Sequence, residues 1–193
     1  MTLLACIRTK DALLIGADSL MVNSETAVGT KTEKLYRIGS SVVWGFSGDE
    51  SVGYEFKRWA DDKERAIMSW EAVKKEAEQK LSELNGLNRR LAALSRTDAQ
   101  VAEVLIAGYL GSPRILTIHN SGAATFREPE EGAFLGSGSA YAEVAWKALL
   151  RAGHKANVDT FTTVLETVAA SVVGCGPPIQ LFEITASGTR SLT

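Results

Sequence analysis

The chain is short of the residues that build cross-links and metal sites, with two cysteines and two histidines in 193 positions. Cys6 and Cys175 cannot form a disulfide framework, and together with His119 and His154 they give no zinc-binding spacing. Charge of one sign is missing too: 21 Lys and Arg against 23 Asp and Glu leave a net charge of −2. Such a balance supplies no footprint for nucleic acid or for an anionic membrane. Long apolar runs are absent, because Asp159 and Glu166 interrupt the C-terminal stretch, so no segment reaches the roughly 18 residues a membrane span needs. Leu3-Leu4-Ala5-Cys6 is similar to a lipoprotein cleavage box, but no charged leader or apolar region precedes it, and it reads as a strand. These absences predict a cytoplasmic protein without metal or other cofactor that begins almost at once with structure. With 45% apolar and 23% charged residues the composition is that of a folded globular chain. At about 150 residues per domain, one domain over 1–193 is expected.

Residues 2–8 and 12–17 are two apolar runs around Thr9-Lys10-Asp11, a hairpin pattern at the N-terminus. Residues 22–33 are polar and read as loop or a short edge strand. Strands are expected over 34–38 and 42–46, followed by a helix that opens at Ser47-Gly48-Asp49 and runs to about Trp59. From Ser69 to about Ser95, Trp70, Val73, Ala77, Leu81, Leu84, Leu87, Leu91 and Leu94 recur at steps of three and four, one apolar helical face. Ser69 is its N-cap, and Asn85-Gly86 is a point where it splits in two. Core packing explains this stripe better than a coiled-coil seam, since Lys80 falls within it. Strands over 101–110, 114–119 and 123–127 follow, then the acidic turn 128–132. Helices are expected from Ser139, as cap, to Ala152 and over 158–172, with a terminal strand over 179–184. Segregated strands and helices point to an α+β layered architecture.

Thr2 is the most informative position. A small residue after Met1 permits removal of that Met, leaving a strand that begins on a threonine with a free α-amine, and residues 2–193 as the mature chain. An α-amine titrates near pH 7.7–8.0, so part of it is free base at neutral pH. Threonine with its own amine is a recognised activated nucleophile. Many chains begin Met-Thr without chemistry, so the neighbours decide. Asp18 ends the second strand, and Lys34 opens another in a place where Asp18 can hold it. An ammonium beside the amine disfavours its protonation and favours an ionised hydroxyl. Gly45, in the strand before Phe46-Ser47-Gly48-Asp49, offers an N–H to a developing oxyanion. Taken singly, these residues read as a surface salt bridge and an ordinary turn glycine rather than as a site.

Taken in order, Met-Thr, an apolar strand, Lys10-Asp11-Ala12, Gly16-Ala17-Asp18-Ser19, Lys34-Leu35-Tyr36-Arg37-Ile38, Gly45-Phe46-Ser47-Gly48-Asp49 and Gly136-Ser137-Gly138-Ser139 resemble the proteasome β-subunit family. That family includes the bacterial two-component peptidase that works under a ring ATPase. The resemblance covers essentially the whole chain. It implies the N-terminal nucleophile hydrolase fold, a four-layer αββα sandwich of two antiparallel sheets between helical layers. By position it implies Thr2 as nucleophile and, through its amine, as base. Lys34 would lower the relevant pKa values, Asp18 orient Lys34, Gly45 form the oxyanion hole and Ser137 hold the amine. Met21, Tyr36, Val43 and Ser47 fall where the family lines its first specificity pocket. It further implies peptide or unfolded-protein substrates, a homo-oligomeric ring and an ATPase unfoldase partner.

One departure stands out. Many members carry an Asp, and three residues later a Ser, before the last strand; here Val172 and Cys175 hold those places. Cys175 and Cys6 read as small buried residues, and His119 and His154 as surface residues. Two other readings remain open: an amidase or acyl-transfer enzyme of the same fold on small substrates, and a catalytically silent ring or scaffold subunit. Silent α-type subunits carry an extra N-terminal helix, for which residues ahead of the first strand leave no room.

Overall fold

Alternation of side chains along the strands sorts the apolar residues into three separate cores. In a computed structural model of the chain, which describes residues 2–23, 26–62, 69–99, 101–128 and 131–193, β1 (Leu4–Arg8) carries Leu4 and Cys6 on one face and Ala5 and Ile7 on the other. It pairs antiparallel with β2 (Leu13–Asp18), with Leu4 opposite Ala17. Leu4, Cys6, Leu13 and Ile15 meet Leu35, Val43, Leu105 and Ile115 in a core between two sheets. Leu3, Ala5, Ile7 and Leu14 face the opposite way, against Trp146, Phe161, Leu165 and Val168 of two helices. A third core joins Tyr36, Trp44 and Ile106 of the second sheet to Phe56, Trp70, Ala77 and Leu81 of two others. Three apolar interfaces between four layers make an αββα sandwich, the expected architecture.

The second sheet runs in the order β5 (Leu35–Ile38), β6 (Val42–Gly48), β7 (Ala102–Tyr109), β8 (Pro113–Ile118) and β9 (Ala124–Arg127), all antiparallel neighbours. It is covered by α1 (Glu50–Asp62) and α2 (Trp70–Ser95). The first sheet has the order β10 (Ala133–Leu135), β1, β2, β11 (Ile179–Thr185) and β12 (Gly188–Ser191). It is covered by α3 (Ser139–Arg151) and α4 (Val158–Ser171).

Several local expectations change. Of the two readings of residues 22–33, loop or short edge strand, strand is found, as a separate two-stranded ladder of β3 (Leu20–Asn23) and β4 (Thr26–Lys31), while Ser24 and Glu25 lie outside the described residues. Of the acidic turn 128–132, Pro129 and Glu130 also lie outside them. The short β10 and the closing strand β12 were hidden in segments without clear alternation. Ser69 does cap α2, its Oγ accepting from Ala72 N at 3.3 Å, but Gly138 rather than Ser139 precedes α3 and gives no side-chain cap.

The helix does not break at Asn85-Gly86. Asn85 is fully buried and acts as a rivet: its Nδ2 donates to the carbonyls of Ala102 (2.9 Å) and Asn120 (3.2 Å), and its Oδ1 accepts from Ala102 N at 2.9 Å. A buried amide with partners on both ends holds position instead of opening the helix. Leu87, Leu91 and Leu94 also depart from expectation, being 47%, 53% and 83% exposed. A helix of 26 residues is about 39 Å long, and β7, with 8 residues, about 27 Å, so the last turns outrun the sheet they would pack on.

Candidate active site

Asp18 ends β2 with its carboxylate completely buried, and a buried charge needs partners for every lone pair. It has them. Its Oδ1 accepts from Lys34 Nζ and from Leu3 N, both at 2.8 Å. Its Oδ2 accepts from Leu20 N and Gly176 N, both at 3.1 Å. One oxygen therefore bridges the ammonium of Lys34 and the peptide nitrogen that follows Thr2. Lys34 is held a second time, donating to Leu20 O at 2.6 Å. This ion pair is almost dry, with side-chain exposures of 7% and 0%.

Thr2 is buried beside this pair, at the mouth of β1. From the other side the loop Gly136-Ser137-Gly138 closes over it. The Ser137 Oγ lies 3.2 Å from Thr2 N as acceptor and 3.4 Å from Thr2 O as donor, and Gly138 N donates to Thr2 O at 3.3 Å. Gly136 has φ +85°, and a Cβ there would collide with the Thr2 carbonyl and stand 2.8 Å from Ser47 Oγ. Only glycine fits both the conformation and the space. Gly136→Ala is expected to destabilise the fold by about 1–3 kcal/mol through overpacking and strain. A thermal melt beside wild type checks it, and an unchanged midpoint would show that the loop does not clamp Thr2.

Gly45 sits within β6, opposite Leu35 of β5 and Leu105 of β7. A Cβ on it would be 2.7 Å from the Lys34 carbonyl and 3.0 Å from Leu4 Cδ1, so its bareness lets the backbone of Lys34 and the start of β1 approach each other. Thr2, Asp18, Lys34, Ser137 and Ser47 are thus brought to one place, with Gly45 against the backbone of Lys34. Two of the pocket candidates are not. Val43 is fully buried in the core between the sheets. Tyr36 lies beneath α1 in the outer core, its ring 5.1 Å from that of Trp44 and its hydroxyl donating to Glu33 O at 2.5 Å. The side chain of Met21 lies outside the described residues.

Val172 closes α4 and packs on the core beneath α3 and α4, so the carboxylate that the resemblance implies for many members is absent at this position. Cys175 is buried with its Sγ 4.0 Å from Ser137 Oγ. Burial first, and the Asp18 carboxylate second, push its thiol up from the ordinary value, and burial does the same to Cys6. Both are neutral thiols at neutral pH, and neither is an activated nucleophile. His119 is half-buried at the end of β8, 3.4 Å from Glu103, and His154 is exposed. Among the described residues no group of His, Cys, Asp and Glu could hold a metal, and no helix is long and apolar enough to cross a membrane.

Two contributors had no sequence signal. Gly176 reaches Asp18 through its backbone N–H, which no side-chain pattern reports. Gln180 of β11 is a polar residue in a strand, indistinguishable in sequence from a solvent-facing one, yet it grips the backbone of Lys34.

Two antiparallel sheets between helical layers, with the first strand starting beside a buried Asp–Lys pair, define a fold of the N-terminal nucleophile hydrolase class. The profile of the family described as Proteasome subunit matches residues 2–173, and the chain belongs to that family. A search of the curated proteins finds no match. Members of the family form oligomeric rings, and the chain is a proteasome-like peptidase or subunit.

Proposed function

We propose that the chain is a threonine endopeptidase whose nucleophile is Thr2, exposed as the first residue by removal of Met1. The observation that carries this reading is the placement of the Lys34 ammonium: one buried oxygen of Asp18 ties it to the peptide nitrogen next to Thr2. A positive charge held there in low dielectric favours the free-base form of the Thr2 amine and the anionic form of its hydroxyl. In a surface position the same pair would be worth little.

The steps follow from this placement. The amine takes the proton of Thr2 Oγ1, directly or through a water, as Oγ1 attacks the substrate carbonyl carbon. The Gly45 N–H donates to the oxyanion that forms. Collapse breaks the C–N bond, and the proton held by the amine passes to the departing amine of the product. The ester left on Thr2 is hydrolysed by water, the Thr2 amine again serving as base. Ser137 keeps the amine directed. Ser47, next to the Gly136 loop, is assigned with Met21 to substrate selection, whereas Tyr36 and Val43 shape the cores. Substrates are extended or unfolded peptides, taken by backbone and shape. The working form is a homo-oligomeric ring fed by an ATPase unfoldase.

Intact mass and covalent labelling test the reading. The assembled protein is expected to lack Met1 and to gain one epoxyketone or vinyl sulfone adduct per chain, mapped to Thr2. An assembled particle that retains Met1 and hydrolyses peptides would overturn it, because an acylated Thr2 nitrogen cannot act as base.

A further inference from the structure

The side-chain amide of Gln180 uses all its hydrogen-bonding capacity, three bonds to residues 32–35 and one to Ser19 at the end of the neighbouring β2. Its Oε1 accepts from Lys34 N at 2.9 Å and from Leu35 N at 3.1 Å. Its Nε2 donates to Thr32 O at 2.7 Å and to Ser19 Oγ at 3.0 Å. β5 is an edge strand of the second sheet and β11 belongs to the first, so no ladder joins them. Gln180 stands in for the missing neighbouring strand at the point where β5 begins. On β11 it lies opposite Ala17, one residue from Asp18, and Ile179 is opposite Asp18 itself.

We propose that Gln180 is a positioning residue for Lys34: by fixing the backbone on either side of Lys34 it aims the ammonium at Asp18 and Thr2. The inference rests on the threonine-peptidase reading of the site and adds to it a residue outside the nucleophile, acid and lysine set. The reasoning is geometric. A lysine side chain has four rotatable bonds, so Asp18 alone can follow an ammonium only if its Cα stays put. The segment 32–34 has no strand partner in either sheet; Thr32 N donates to Ser19 O at 2.9 Å and the Tyr36 hydroxyl to Glu33 O, and the amide of Gln180 adds a bond at each end, to Thr32 O and from Lys34 N. Ser19, next to Asp18, shares the same amide, so acid and lysine are set by one side chain from opposite directions. A displacement of about 1 Å at a reacting centre costs on the order of a hundredfold in rate.

The test compares Gln180→Met, which keeps length and removes all four bonds, with Gln180→Glu, which keeps an acceptor for Lys34 N and Leu35 N. Assembled protein, peptide hydrolysis across pH 5–10 and the rate of epoxyketone labelling at Thr2 are measured alongside Thr2→Ala. For Gln180→Met, kcat is expected to fall about ten- to a hundredfold with KM nearly unchanged. The acidic limb of its pH profile should move upward by about half a unit or more, because the amine loses a nearby positive charge. Gln180→Glu, which keeps the acceptor but adds a carboxylate near the amine, should stay within about fivefold of wild-type kcat while its limb moves upward through that added charge. A Gln180→Met protein with an unshifted limb overturns the proposal whatever its rate. If Gln180→Met does not assemble, the Gln180→Glu protein decides: a fall in its kcat of about tenfold or more, with the acceptor for Lys34 N and Leu35 N kept, overturns the proposal. Failure of the underlying reading is separate, and shows as peptide hydrolysis by Thr2→Ala.

Discussion

Thr2→Ala is expected to abolish peptide hydrolysis, with a loss of more than about ten-thousandfold in kcat, while the subunit still folds and assembles. When nucleophile and base sit on one residue, removal of the hydroxyl leaves only binding and oxyanion stabilisation, and such residual catalysis is small. Folding should be nearly indifferent. The Thr2 backbone, not its hydroxyl, makes the bonds to Ser137 and Gly138, and those persist in alanine. The lost side-chain atoms are worth about 1 kcal/mol. Thr2→Ser, which keeps a hydroxyl and the amine, should retain a measurable fraction of wild-type rate. Steady-state hydrolysis of a fluorogenic peptide with native mass on the same samples decides the matter. Wild-type turnover by an assembled Thr2→Ala particle would move the chemistry to another residue.

Lys34→Ala is expected to lower kcat by about a hundred- to ten-thousandfold, the range that proton-transfer machinery commands. It should also destabilise the subunit by about 3–5 kcal/mol, unlike Thr2→Ala. Asp18 would keep its backbone donors Leu3, Leu20 and Gly176 but lose its only described cationic partner at full burial, and breaking one half of a buried pair costs this much. Asp18→Asn with Lys34→Ala in one chain removes the stranded charge. Stability should therefore recover only in part in the double variant, because the amide nitrogen still faces backbone N–H donors, while activity does not recover. Kinetics and thermal melts on the single and double variants separate the two effects, and full activity in Lys34→Ala would show that the ammonium takes no part.

Much of the layered fold could be read from period and punctuation. Trp70, Val73, Ala77 and Leu81 mark α2 because each lies on the core, and β1 and β2 are legible because their runs are apolar on both faces. What escaped did so for physical reasons. Asn85 carries the composition of a helix breaker, and only the tertiary partners Ala102 and Asn120 convert it to an anchor. Leu87, Leu91 and Leu94 keep the helical spacing but lie beyond the sheet, a matter of relative length that periodicity does not encode. At the site, Thr2, Asp18, Lys34 and Ser137 meet as the order of motifs implies, since strand starts and ends bring them together. Tyr36 and Val43 go elsewhere because their side chains face the two cores, and the face a strand residue takes depends on register. Gly176 and Gln180 were invisible, one acting through an amide N–H and the other through a bond between sheets that are remote in sequence.

The four bonds on Asp18 also set an order in time. Leu3, Leu20 and Lys34 leave the ribosome early, but Gly176 and Gln180 emerge only after nearly the whole sandwich has been made. Until then the carboxylate lacks a donor and the segment bearing Lys34 lacks its tether, so the ammonium has no fixed address. A nascent or half-folded chain therefore carries Thr2 without the charge arrangement that would activate it. On the threonine-peptidase reading, completion of the fold is the step that would switch Thr2 on.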